Sequence, residues 1–158
     1  MFTVGDNIVH PLHGAGTVSE IKSQRINGVN REYYVLRIPA GDICVMVPVN
    51  GSEEIGVRAI INACEAEELY DVMAEIEIEM NGNWNRRYRE NMMRLKSGDL
   101  TEVSKVVKGL MAREAESKLS TGERKMLTSA KNILISELVL ALSSSYEVVE
   151  ERVLAVLA

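Results

Sequence analysis

Long apolar runs are missing from this chain of 158 residues. None approaches the ~20 uncharged residues that a helix needs to cross a bilayer, so a membrane span is not expected. The N-terminus also lacks a basic segment followed by an apolar one, the mark of a secretory signal. Cysteine is scarce: Cys44 and Cys64 stand apart, without the CxxC spacing of zinc or redox motifs. They read as small core residues in a reducing cytoplasm, and sequence alone leaves a pair between them open. The two histidines, His10 and His13, flank Pro11-Leu12. No Cys, Asp or Glu supports them at ligand spacing, so a turn with structural histidines is the simpler reading than a metal site. Gly14-Ala15-Gly16 is too short for a phosphate loop, and no helix signal follows it. A nucleophile elbow, a metalloprotease motif and a convincing Ser-His-Asp set are all missing. The pairs Glu53-Glu54 and Glu67-Glu68 read as solvated. No enzyme, cofactor, metal or small-molecule substrate is therefore expected.

A hydrophobic fraction of 46% is ample for a core, which excludes a disordered protein. The first fifty residues read as β. Ile8-Val9-His10, Gly16-Thr17-Val18, Tyr33-Tyr34-Val35-Leu36 and Ile43-Cys44-Val45-Met46-Val47 are short runs broken by Gly, Pro and Asn. Asn27-Gly28 lies between two of them, and both residues tolerate the positive φ of a two-residue hairpin. Several strands in so few residues predict a small barrel or a strongly bent sheet. Pro48 closes the last run, and Asn50-Gly51-Ser52 marks a boundary, giving a β domain over residues 1–54 and a helical one over 55–158.

The helical signal begins with Leu69, Val72, Met73 and Ile76. Asn83 reads as the N-cap of a helix stopping at Ser97-Gly98. Asp99 with Glu102, Ser120 with Glu123 and Ser144 with Glu147 have capping-box spacing. Leu100, Val103, Val106, Val107, Leu110 and Met111 follow the first, and Met126, Leu127, Ala130, Ile133, Leu134, Leu138 and Leu142 the second. Short connections favour antiparallel neighbours, hence a compact bundle and an α+β protein.

The net charge of −5 hides a strong asymmetry. Residues 55–82 carry one basic and seven acidic side chains, whereas residues 83–132 carry twelve basic and six acidic ones. The basic block opens with Asn83-Trp84-Asn85-Arg86-Arg87-Tyr88-Arg89, which holds the only tryptophan. Guanidinium groups beside a flat apolar ring suit nucleic acid, where arginines meet phosphates and a wedge enters between base steps. The plain alternative is equally open: Trp84 falls near Tyr88, Met92 and Leu95 on a helical wheel and could extend a core stripe. Arg124 and Lys125, in the first turn of a later helix, are mildly misplaced for its dipole, which favours a functional reading over a solvated face.

With both halves in view, the chain resembles the CarD/CdnL family of bacterial transcription regulators. Val4-Gly5-Asp6-Asn7-Ile8-Val9-His10-Pro11-Leu12-His13-Gly14-Ala15-Gly16 looks like that family's opening signature. Gly41-Asp42-Ile43-Cys44-Val45-Met46-Val47-Pro48 and Gly56-Val57-Arg58 also fit. Asn83-Trp84-Asn85-Arg86-Arg87-Tyr88 and Ser120-Thr121-Gly122-Glu123-Arg124-Lys125-Met126-Leu127 are similar to its most specific segments. The N-terminal half alone resembles the polymerase-interacting module shared with transcription-repair coupling factor, but the chain has no room for that protein's motor.

The resemblance implies a Tudor/SH3-like barrel that binds the RNA polymerase β subunit by pairing a strand edge. Around that edge, Gln24, Arg25, Val45, Met46 and Val47 are the implied polymerase contacts. Some relatives carry a basic residue where Met46 stands, so the details of that face are expected to differ. The helical half would lie on promoter DNA at the upstream edge of the melted bubble. Trp84 would wedge into the minor groove there, with Arg86, Arg87 and Arg89 on phosphates and Arg124 and Lys125 as a second anchor. The expected protein is cytoplasmic, associated with the nucleoid through polymerase, and monomeric, with dimers or swapped forms open through the strand edge. A polymerase adaptor that never touches DNA is the rival reading, in which Trp84 belongs to the core. A free-standing repressor is a third, without a helix-turn-helix element to support it.

Overall fold

A computed structural model of the chain describes residues 1–39, 43–78, 80 and 82–158. Gly41 and Asp42 of the family-like segment lie outside the described residues. The N-terminal part forms strands β1 (Asn7–His10), β2 (Gly14–Ile26), β3 (Val29–Ile38) and β4 (Ile43–Pro48), a single helical turn α1 (Ser52–Ile55) and strand β5 (Arg58–Ala59). They make one five-stranded antiparallel sheet in the order β4-β3-β2-β1-β5. The β2–β3 hairpin turns on Asn27 and Gly28, whose φ angles of 52° and 78° are both left-handed, as its two-residue loop requires. Strand β2 pairs with β1 along one edge and β3 along the other, with a bulge between Val18 and Glu20 on the β3 side. Ile8, Val18, Tyr34, Leu36, Ile38, Val47 and Val57 fill the concave side.

The sheet runs past residue 54. β5 pairs with β1 through Ile8 with Ala59 and Val9 with Arg58. A two-residue strand is too short to carry a period-2 signal, so the sequence gives no warning of it.

Five helices follow: α2 (Ala63–Glu75), α3 (Trp84–Lys96), α4 (Leu100–Glu116), α5 (Thr121–Leu142) and α6 (Tyr146–Leu157). Asn83 caps α3 by accepting the Arg86 N–H, and Gly98 takes the left-handed conformation after its end. Asp99 and Ser120 also cap as expected, but neither completes a box. The Glu102 carboxylate turns to Lys105 and Arg94, and that of Glu123 to Arg87. The cap of α6 is Ser145 rather than Ser144. The reciprocal box is at Asn62 and Glu65, opening α2. Cys44 and Cys64 are exposed and unpaired rather than in the core, because they fall on the outward side of β4 and on the solvent side of the first turn of α2. Among the described residues no single helix is long and apolar enough to cross a membrane.

Helix α5 is the hub. Six consecutive residues, from Ile133 to Leu138, are buried, so the helix is covered on every side there. Its partners include α4, α6 and β2. Ser136 and Glu137 face the sheet. Ser136 Oγ accepts the Ala15 N–H at 2.9 Å, and a Cβ on Gly14 would lie 2.6 Å from that oxygen. Gly16 leaves no room for a Cβ beside the Arg37 carbonyl. The Gly14-Ala15-Gly16 run is therefore a packing device. The Glu137 carboxylate, fully buried, takes both Nη atoms of Arg58 at 2.7 and 2.9 Å and the Ile61 N–H at 2.9 Å. Arg58 also donates to the Gly98 carbonyl at 3.1 Å, tying sheet, α5 and the α3–α4 turn together.

Candidate nucleic-acid interface

The first residue of α3 is Trp84, and the residue capping α5 is Ser120; the two meet. The indole N–H donates to Ser120 Oγ at 3.0 Å, and the same oxygen accepts the Glu123 backbone N–H at 3.2 Å. Two helix N-termini thus converge at one spot, each contributing partial positive charge. The indole ring stacks on Tyr88, one turn along α3, with centroids 5.0 Å apart and planes 17° from parallel. Trp84 nevertheless stays 42% exposed. It sits at the solvent end of the stripe formed with Tyr88, Met92 and Leu95, of which Leu95 alone is buried. Beyond the ring, Tyr88, Met92, Leu95, Met126 and Leu12 line a shallow apolar groove of about 190 Å³, with Lys125 beside it.

Arg87 does not face solvent as a phosphate contact would. It is 2% exposed and forms a forked pair with Glu123, equally buried, at 2.8 and 3.0 Å, while donating to the Gly82 carbonyl at 3.2 Å. Its i+3 spacing from Trp84 turns it inward toward α5. The hydrogen bond from Arg87 holds the Glu123 carboxyl below the usual carboxylate range, with burial opposing and the charges of Arg87 and Arg113 and the indole N–H assisting. In return, Glu123 raises the pKa of the guanidinium.

Arg86, Arg89, Arg124 and Lys125 are all exposed. Arg86 makes only a loose pair with Glu90 at 4.0 Å. Arg89, Arg124 and Lys125 make no ion pair among the described residues. Helical geometry puts Arg86 and Arg89 roughly 140–160° around α3 from Trp84. They therefore project from nearly the opposite face of α3, whereas Lys125 shares the groove with Tyr88. Sequence reasoning set Tyr88 beside Trp84, as the stack shows, but missed the part played by Ser120 and Glu123 in holding the ring. The capping pattern was the one signal for those two.

At the other end, β4 pairs only with β3, leaving its outer edge open among the described residues. Met46, 40% exposed, points outward and lies 3.9 Å from Gln24 Nε2, and Arg25 is exposed near the hairpin tip. Val47 is buried and Val45 half-buried against the sheet core, so their side chains turn into the fold rather than outward beside Met46. The His10 and His13 rings lie 4.5 Å apart and tilted by 47° at the β1–β2 turn, where His10 Nδ1 accepts the Leu12 N–H. Burial, and then His13, lower the pKa of His10.

Comparison with known proteins agrees with this two-part layout. Residues 2–61 match the CarD-like/TRCF RID domain, and residues 68–154 match the CarD C-terminal domain. The chain belongs to the CarD family. A relative, YdeB of Bacillus subtilis (strain 168), is 33% identical over 138 residues, covering 87% of this chain and 90% of its own, and its name marks it a candidate transcription factor. The CarD family is one of transcription regulators, and the N-terminal match is to its RNA polymerase-interacting module.

Proposed function

We propose that this protein binds the RNA polymerase β subunit through the β4 edge and stabilises the open promoter complex by resting Trp84 on the upstream edge of the bubble. The carrying observation is the pose of Trp84. A half-exposed ring at two converging helix N-termini, with Arg124 and Lys125 exposed on the adjoining α5 and Arg86 and Arg89 exposed further round α3, suits a minor-groove wedge supported by phosphate contacts. Strand addition at β4 supplies main-chain hydrogen bonds, with Met46, Gln24 and Arg25 setting the fit. No covalent chemistry is involved; the protein acts in the cytoplasm, at the nucleoid, by binding the open complex more tightly than the closed one.

The magnitudes suffice. A tenfold longer-lived open complex needs about 1.4 kcal/mol of differential stabilisation. One aromatic ring stacked on a base supplies ~1–3 kcal/mol. An acidic protein binds free DNA weakly, and tethering to polymerase raises its effective concentration at the promoter.

The rival reading, a polymerase adaptor without DNA contact, draws on the same ring, since Trp84 is also stacked and hydrogen-bonded within the fold. The lifetime of a promoter open complex under competitor challenge separates the two, measured without the protein, with wild type and with Trp84→Ala. The proposal expects wild type to lengthen the lifetime and the variant to lose that effect while still binding polymerase. An equal effect of both proteins would leave the adaptor.

A further inference from the structure

We infer that Ser120 is a positioning residue for the wedge: by accepting the indole N–H it presets the Trp84 ring and withdraws that N–H from DNA. The inference rests on the reading that Trp84 meets promoter DNA. A tryptophan in the first turn of a helix has no preceding turn against which to pack. Left alone and 42% exposed, its ring would sample several rotamers, and ordering it on binding would cost affinity. Here two constraints act at different points. Tyr88 lies against the face of the ring, and Ser120, with the Glu123 carboxylate close by, fixes its nitrogen edge.

Ser120 is itself immobilised. Its hydroxyl oxygen has two acceptor sites, and two donors occupy them, the indole N–H and the Glu123 N–H. Glu123 is clamped by Arg87, whose guanidinium rises from α3, the helix that begins with Trp84. The ring is thereby tied back to its own helix through α5.

This has a consequence for recognition. Nε1–H is the only donor tryptophan has. The minor groove offers A·T and T·A pairs the same acceptors. With its donor occupied by Ser120, Trp84 contributes shape and stacking and no hydrogen-bond readout. Any preference it shows at the upstream edge reflects how easily a base step opens.

A double-mutant cycle on the full-length protein tests this. Open-complex lifetimes are measured for wild type, Trp84→Phe, Ser120→Ala and the double variant, with Ser120→Thr and Trp84→Ala alongside and thermal unfolding recorded for each. Ser120→Ala also removes the α5 cap, but that loss enters both backgrounds and cancels in the cycle. The expected result is a roughly two- to tenfold shorter lifetime for Ser120→Ala, the range of one net hydrogen bond. Beyond any loss common to both backgrounds from the cap, it should be absent in the Trp84→Phe background and rescued by Ser120→Thr, which keeps the hydroxyl. Tryptophan anisotropy of the free protein should fall in Ser120→Ala and not in Ser120→Thr. Equal losses in both backgrounds would reduce Ser120 to a helix cap. A longer or unchanged lifetime for Ser120→Ala, with Trp84→Phe impaired, would show the N–H at work on DNA; either result overturns the inference while Trp84→Ala still shortens the lifetime. If Trp84→Ala has no effect, the wedge and this role of Ser120 fall together.

Discussion

Glu137→Ala should be among the most damaging substitutions far from the proposed DNA face. The carboxylate is fully buried and accepts three hydrogen bonds, two from Arg58 and one from the Ile61 N–H. Removing one partner of a buried ion pair typically costs ~3–5 kcal/mol, because the other charge is left without compensation. The Arg58 side chain is 34% exposed and keeps the Gly98 and Ala59 carbonyls, so its share lies toward the low end, about 2–3 kcal/mol. The Ile61 N–H, half-buried, adds roughly 1 kcal/mol. A total of about 3–4 kcal/mol is a large part of the ~5–15 kcal/mol that holds a domain together. Urea unfolding gives the midpoint and slope, and an unchanged slope assigns the shift to stability. Arg58→Leu combined with Glu137→Leu should recover most of the loss, since an apolar pair of similar volume avoids the desolvation penalty. A loss below about 1 kcal/mol for Glu137→Ala, or a double variant as unstable as the single one, would refute the assignment of this pair as the tie between sheet and bundle.

Arg87→Ala should cost about 3–5 kcal/mol of stability, since it strands the buried Glu123 carboxylate; a loss under 1 kcal/mol in the same unfolding assay would return Arg87 to the surface. Because the folded-state pKa of Glu123 is depressed, its contribution is present above the unfolded value, roughly 4.3, and disappears as pH falls through the folded value. Glu123→Gln should therefore lose less unfolding free energy than wild type between pH 7 and pH 3, and equal losses would contradict the sign. Gly14→Ala combines a φ of +95° with a Cβ pressed 2.6 Å from Ser136 Oγ, whereas Gly28→Ala meets open space at a φ of +78°. The first should lower thermal stability clearly more than the second, which costs about 1 kcal/mol, and the reverse order would be incompatible with the described packing. Reversing the charges of Arg86 and Arg89 should weaken the open-complex effect and flatten its salt dependence, while an unaltered slope would count against phosphate contacts.

Much of the architecture was legible because local chemistry dictates it. Asn27-Gly28 specified its hairpin, Asn83 its cap and Gly98 its stop, since each requirement is met within a few residues. The periodic stripes of α4 and α5 named the core. What escaped notice depends on distance along the chain. Arg58 and Glu137 are 79 residues apart, and Arg87 and Glu123 are 36 apart, so neither pair has a sequence signature. Glu123 looked like the second half of a capping box, and only the fold shows its carboxylate turned to Arg87 instead. The same separation put Arg87 on the wrong side of α3: three arginines in a row of basic residues look alike until the helix is packed. Cys44 and Cys64 went astray for the opposite reason, since a small apolar residue on a strand edge or a helix turn has no period to betray which way it faces. The Trp84 segment was conspicuous from its composition, but the tether that holds its ring was not.

The central claim is that Trp84 enters the DNA at the upstream edge of the bubble, and a fluorescent base analogue placed in that base step tests it most directly. Open complexes would be formed on a promoter carrying 2-aminopurine at the step, without the protein, with wild type, and with Trp84→Ala at concentrations that saturate polymerase. The account predicts an emission change with wild type that the variant fails to produce although it remains bound. The same emission from wild type and variant would contradict it, and leave the protein as a polymerase-bound factor whose tryptophan stays within its own fold.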